Sequence, residues 1–290
     1  MEENTAILRA RAFLARHSVV AAPVDVIALA AAEGFDVVKK DLAEGESGSS
    51  GERRGRRYIW VNEREPPSRQ RFTVLHEIAH HVLGMPSVHG QASGSQDEAQ
   101  ALRPRRPIEE IACDAFASEC LVPYALLKPL IEDHAFSAAA VQALSDRFEA
   151  SQQCIALQWM KASDDTLAFV LARERRIVFA FASKRAKEAG LRIASGRMLP
   201  AASAADGLVR NSSDEVATAD LDASDWSDAD AAARFVAYEE ATNYVPLQLT
   251  YSFLTFEAAT PDTPSDSARA SSEDEEPLLE ELTGTLTWKR

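Results

Sequence analysis

The sequence predicts an α+β protein in three successive parts, and three observations carry that prediction. In the N-terminal part, helical and strand-like stretches alternate around the pentad His76-Glu77-Ile78-Ala79-His80. Two short helical patterns between Ser137 and Lys161 then resemble a helix-turn-helix. From residue 166 the apolar period becomes that of strands, as in an antiparallel sheet with some helix. A chain of 290 residues with 46% hydrophobic content can build real cores, and no apolar run is long enough to cross a bilayer.

Residues 4–17 read as a first helix. A second is expected from Pro23 to Ala32, ended by Gly34 and followed by a strand at Phe35-Asp36-Val37-Val38. Residues 42–55 are rich in Gly, Ser and charge and are expected to form a flexible loop. Arg57 to Asn62 reads as a strand directly before a helix spanning Arg69 to Leu83. Tyr58–Asn62 is placed either as an edge strand that pairs with a substrate backbone or as an ordinary sheet strand. Residues 86–106 follow neither period, and a connection that long is usually functional or mobile. It is expected to line or gate a cleft, with Arg103, Arg105 and Arg106 available for acidic side chains or as a solvated basic patch.

The pentad has the spacing of a zinc-peptidase motif. Helix positions four apart lie one turn above each other, so His76 and His80 can offer two imidazoles to one metal ion. Glu77 lies slightly round the same turn, where a carboxylate can take a proton from the attacking water. Phe72, Leu75, Ile78, Ala79, Val82 and Leu83 give this helix an apolar side. A catalytic site of this kind needs a third protein ligand. The longer motif with a downstream glycine and histidine is excluded, because Leu83 and Pro86 occupy those places.

His89, Glu109, Glu110 and Asp114 remain as candidates. Pro107 suits the first turn of a new helix, on which Glu110 and Asp114 share a face beside a buried face of Ile108, Ile111, Ala112, Ala115 and Phe116. Glu110 is preferred as the ligand, with Asp114 accepting the outer N–H of a ligand histidine; Glu109 and His89 stay as alternatives. Glu109 otherwise reads as a first-turn acid favoured by the helix dipole. His81 points away from the metal, and His17 and His134 have no partner spacing.

Leu144 to Gln153, followed by Ile155, Leu157 and Trp159, carries the helix-turn-helix likeness, although Glu149 stands where a turn glycine is usual. Its charges cancel, so a structural or protein-recognition unit is expected rather than a DNA-binding one. Strands are expected at Leu167–Arg173, Ile177–Ser183 and Val245–Phe256, with a short helix near Ala231–Glu240. Residues 258–277 are rich in Pro, Ser, Asp and Glu and are expected to be disordered.

The net charge of −14 is carried by residues 201–290, which hold 19 acids against 5 bases, while the first 200 residues are balanced. That distribution argues against broad nucleic-acid binding and suits either a basic protein partner or a solubilising surface. Three cysteines, an acidic start and an interrupted first apolar region lead to the expectation of a cytoplasmic protein with reduced thiols and no secretory signal.

Arg69-Gln70-Arg71-Phe72-Thr73 before the pentad, and Glu110 to Ala117 ending in Leu121-Val122-Pro123, resemble the ImmA/IrrE metallopeptidase family. The resemblance is specific over 58–124, and the order of parts is similar to radiation-response regulators of that family. It implies a zincin-like metallopeptidase domain over 1–125, a helix-turn-helix-like segment over 126–165, a GAF-like α+β domain over 166–257 and an acidic tail over 258–290. It also implies Zn²⁺, or Mn²⁺ in its place, at His76, His80 and Glu110, with Glu77 as catalytic base. The implied activity is site-specific cleavage of an XRE-type helix-turn-helix repressor, which induces DNA-damage-response genes. Rival expectations are a regulator that binds DNA or a repressor without proteolysis, and a mobile-element repressor protease of the ImmA type.

Overall fold

The computed structural model describes residues 1–43, 45–86, 107–213, 215–244 and 248–259. The 86–106 connection after Pro86, with His89, Arg103, Arg105 and Arg106, therefore lies outside the described residues, as does the acidic tail.

Helix α1 (Glu3–Arg16) turns Ala6, Ala10, Phe13 and Leu14 inward, and α2 (Val26–Ala32) follows. Helix α2 starts at Val26 rather than Pro23, because the Asp25 side chain caps it by accepting from the backbone N–H groups of Ile27 and Ala28. Strands β1 (Phe35–Lys40), β2 (Gly48–Arg53) and β3 (Arg56–Asn62) form a sheet in the order β1-β3-β2. β3 pairs parallel with β1 and antiparallel with β2.

One expectation fails here, and one pair of alternatives is decided. Residues Gly48–Arg53 of the supposed 42–55 loop are the strand β2, joined to β3 by a tight turn in which Arg54 and Gly55 both have positive φ (54° and 75°). That two-residue turn matches the twist of a hairpin and sets its register. Strand β3 is interior, so of the two readings of Tyr58–Asn62 the ordinary sheet strand holds and the edge strand does not; among the described residues β1 and β2 are the edges.

Helix α3 (Pro67–Leu83) has proline at its first position, where an N–H would lack an intrahelical partner. Gly84, at φ 67°, ends it: the N–H groups of Gly84 and Met85 return to the carbonyls of His81 and His80. Helix α4 (Ile108–Leu121) packs beside α3 and against α1, where Phe13 meets Phe116 edge-on at 5.4 Å and Arg11 pairs with Glu119 at 2.9 Å. Ile108 and Ile111 are exposed, so the buried face of α4 is Ala112, Cys113, Ala115, Phe116, Ala117 and Cys120 instead.

Helices α5 (Tyr124–Ile131), α6 (Ala138–Phe148) and α7 (Gln152–Ala162) come next. Ser137 and Ser151 cap α6 and α7 through their side chains. Glu149 adopts the left-handed conformation (φ 50°) that a glycine would take at less cost, and its carboxylate pairs with Arg71 of α3 at 3.0 Å.

The C-terminal strands β4 (Leu167–Arg173), β5 (Arg176–Ala182), β6 (Ala217–Asp222), β7 (Phe235–Tyr244) and β8 (Leu249–Ala258) form an antiparallel sheet ordered β5-β4-β8-β7-β6. The helix expected near Ala231–Glu240 is a 3₁₀ turn at Asp230–Arg234 followed by β7, and the strand expected over 245–256 is found as β8 from Leu249 onward, antiparallel to β7, while residues 245–247 lie outside the described residues. Alternate residues of β4 and β8 face two cores. Phe169, Leu171, Tyr251 and Phe253 join the core that runs through α1, α3, α4 and α7, where Phe136 stacks edge-on to Phe253 and Trp159. Ala168, Val170, Leu254 and Phe256 face a second core, covered by α8 (Lys184–Glu188), α9 (Ala204–Asn211) and α10 (Ala223–Trp226). Met1–Ala258 thus form one compact unit.

Candidate metal centre

Helices α3 and α4 bring together side chains thirty or more positions apart in sequence. His76 and His80 stand one turn apart on α3, with their rings edge-on at 4.9 Å and their Nε2 atoms 3.1 Å from each other. The Glu110 carboxylate of α4 reaches both, its Oε2 lying 3.2 Å from His76 Nε2 and its Oε1 3.5 Å from His80 Nε2. All three residues are buried, and one donor atom from each lies within 4.8 Å of the others. On the far side of the His76 ring, Nδ1 donates to Asp114 Oδ1 at 2.9 Å. With its proton held there, neutral His76 presents a lone pair at Nε2 towards His80 and Glu110.

The donor set fits a divalent cation. Ligand bonds of about 2.0–2.1 Å in a tetrahedral shell set donor atoms about 3.3 Å apart. The observed 3.1, 3.2 and 3.5 Å separations bracket that value. Two imidazoles and one carboxylate form a donor set that suits zinc and also tolerates manganese.

Glu77, 1% exposed, follows His76 on the same helix, and its Oε2 accepts a 2.6 Å hydrogen bond from Ser50 Oγ on β2. Of the other sequence candidates, Glu109 is exposed and outside the cluster, and His89 is outside the described residues. His81 is exposed, bonded to Arg57 Nη1 at 2.9 Å and set edge-on to Phe35, and His17 pairs with Glu33 at 2.8 Å. Ser50 had no sequence signal beyond its place in a Gly- and Ser-rich run.

A histidine pair one helical turn apart, a glutamate between them and an acid from the next helix form the layout of an HExxH metallopeptidase centre. Residues 30–160 match the family model of the IrrE N-terminal-like domain, Peptidase_M78, a metallopeptidase family. That stretch contains β1–β3, both site helices, α6 and all but the end of the last turn of α7. The fold is also similar to that of a Mycobacterium tuberculosis transcriptional regulator, at 12% identity and a TM-score of 0.55, covering 87% of this chain and 88% of that one. No curated protein matches the chain.

Among the described residues, no helix is long and apolar enough to cross a membrane. The three cysteines are free, and burial pushes the Cys154 thiol up to about 12.

Proposed function

We propose that this chain is a zinc-dependent, site-specific endopeptidase that cuts an XRE-type helix-turn-helix repressor and so induces DNA-damage and radiation-response genes. The observation that carries this reading is the convergence of His76, His80 and Glu110 beside the buried carboxylate of Glu77. Bound Zn²⁺ would act as a Lewis acid on the scissile carbonyl and lower the pKa of water from about 15.7 towards about 7, a role Mn²⁺ can also take.

The chain's own residues divide the rest of the work. His76, His80 and Glu110 hold the ion, and Asp114 holds the proton of His76 at Nδ1. Glu77 takes the proton of the attacking water on its carboxylate and delivers it to the nitrogen of the leaving amine. An extended substrate would add to the open edge of β2, which lies over Glu77.

The α6–α7 pair is read as a structural or protein-recognition unit. Ile155, Ala156, Gln158, Trp159 and Met160 bury most of α7, whereas a DNA-reading helix needs an exposed face for the groove. The five-stranded sheet with its helical cover supports the GAF-like reading of residues 166–257. The free cysteines suit a reducing cytoplasm.

The test is incubation with XRE-type repressors from the same genome, with and without chelator, followed by mass spectrometry of the fragments. Chelator and Glu77→Gln are each expected to abolish cutting, while the variant keeps its metal. Unchanged cutting by Glu77→Gln would overturn the proposal.

The likeness to a transcriptional regulator favours a second reading, in which the chain binds DNA or a repressor without cutting. Specific duplex binding that survives replacement of His76 and His80 would select it.

A further inference from the structure

We infer that Ser50 is a positioning residue for Glu77, holding the carboxylate of the general base from the edge strand β2; the inference rests on the peptidase reading above. Ser50 Oγ donates to Glu77 Oε2 at 2.6 Å, in a place where Glu77 is almost fully removed from solvent. A buried carboxylate needs such donors, because desolvation without them is costly.

The contact follows from how β2 lies on α3. Gly48 and Ser50 face the same way on the strand, about 6.8 Å apart at the strand's rise per residue. Thr73 and Glu77 face the same way on the helix, about 6 Å apart. A Cβ on Gly48 would lie 2.4 Å from Thr73 Cγ2, so the glycine lets the strand sit directly against the helix at that turn. With Gly48 on Thr73, the matched spacings bring Ser50 opposite Glu77.

The entry to β2 is tied down as well. The Ser47 hydroxyl donates to Glu65 Oε1 at 3.1 Å and accepts from Arg69 Nη2 at 3.3 Å, and Asn62 Nδ2 donates to the Glu46 carbonyl at 2.9 Å. Ser50 is therefore carried by a strand fixed at both its start and its hairpin.

A hydroxyl suits this task better than a fixed donor would. It donates to a carboxylate and, after rotation about Cβ–Oγ, accepts from a carboxylic acid. Ser50 can thus stay bonded to Glu77 before and after the base has taken up its proton. A backbone N–H or a lysine at the same place could donate to the carboxyl group but could not accept its O–H.

The test uses the full chain and the variants Ser50→Ala, Ser50→Thr, Glu77→Ala and the Ser50→Ala/Glu77→Ala double. In chelator-treated protein, Ser50→Ala should lower Tm when Glu77 is present and have little further effect in the Glu77→Ala background. With zinc and a purified XRE-type repressor from the same genome, Ser50→Ala should lower kcat roughly 10- to 100-fold with KM changed less than about threefold. Ser50→Thr should return kcat to within about threefold of wild type, with zinc content equal in all three.

Additive Tm losses, or a threonine variant no better than alanine, would overturn the assignment. A wild-type chain that cuts no repressor would refute the peptidase reading alone, and the Tm cycle would still decide whether Ser50 holds Glu77.

Discussion

Replacing Gly48 by alanine tests the seat of β2 on α3 with a change of one methyl group. The added Cβ would lie 2.4 Å from Thr73 Cγ2 and 2.6 Å from the Trp60 carbonyl oxygen. The Thr73 methyl group can yield slightly, but Trp60 lies in the interior strand β3 and its carbonyl cannot move without disturbing the sheet. Overpacking of this kind costs about 1–3 kcal/mol. For a unit of this size each kcal/mol lowers Tm by about 2–4 °C, so Gly48→Ala should lose about 2–12 °C by calorimetry.

Two companions locate the cause. Thr73→Ser in the Gly48→Ala background removes the first clash and leaves the second, so it should recover part of the loss. Gly51→Ala on the same strand meets only the end of the Trp60 side chain, at 3.0 Å, and should cost less. A Gly48→Ala protein within about 1 °C of wild type, or one no worse than Gly51→Ala, would refute the close seating and with it the register that aligns Ser50 with Glu77.

Other outcomes are expected away from β2. Asp114→Ala should weaken zinc binding about 10- to 100-fold, because His76 loses the acceptor that fixes its Nδ1 proton; equal affinity in a chelator competition would contradict that role. Burial raises the Glu239 carboxyl above its ordinary 4.5, despite the hydrogen bonds from Ser252 and from the backbone of Ala204 and Ala205. The folded chain then keeps this proton to higher pH than the unfolded chain does, so this group's contribution to stability falls as pH rises from 4.5 through the raised folded value. Relative to Glu239→Gln, wild-type Tm should decline across that window, and a rising difference would contradict the assignment. Cys120, held well above its ordinary range by burial, and Cys154, at about 12, should resist a disulfide reagent at about pH 8 until the chain unfolds.

The elements best foretold are those whose own residues set both period and ends. Helix α3 shows an apolar side, a proline at its start and Gly84 at its close, and the histidine spacing within it needs no tertiary information. The α6–α7 pair was legible as two short helical patterns between Ser137 and Lys161, although Glu149 stands at the turn where a glycine is usual. Strand β2 was not, because Gly48 to Arg53 contains no apolar residue; pairing with β3 and the close approach to α3 hold it extended. Strand β7 was mistaken for helix because Ala237, Glu239 and Ala241 form its inward face. A glutamate among alanines reads as helix propensity until the α9 N-terminus and Ser252 are seen around that carboxylate.

On α4, isoleucine was assigned inward by its apolar nature alone, yet Ile108 and Ile111 stand on the exposed side. In the site, the adjacent pair Glu109 and Glu110 could be separated only weakly by spacing. The crossing of α3 and α4 separates them, burying Glu110 against both imidazoles and leaving Glu109 in solvent.

That separation gives the most direct test of the metal centre. Zinc titration against a chromogenic chelator should find one tight site per wild-type chain, unchanged in Glu109→Ala and weakened by at least about 100-fold in Glu110→Ala. Tight binding retained by Glu110→Ala, or lost in Glu109→Ala, would contradict the coordination of one ion by His76, His80 and Glu110.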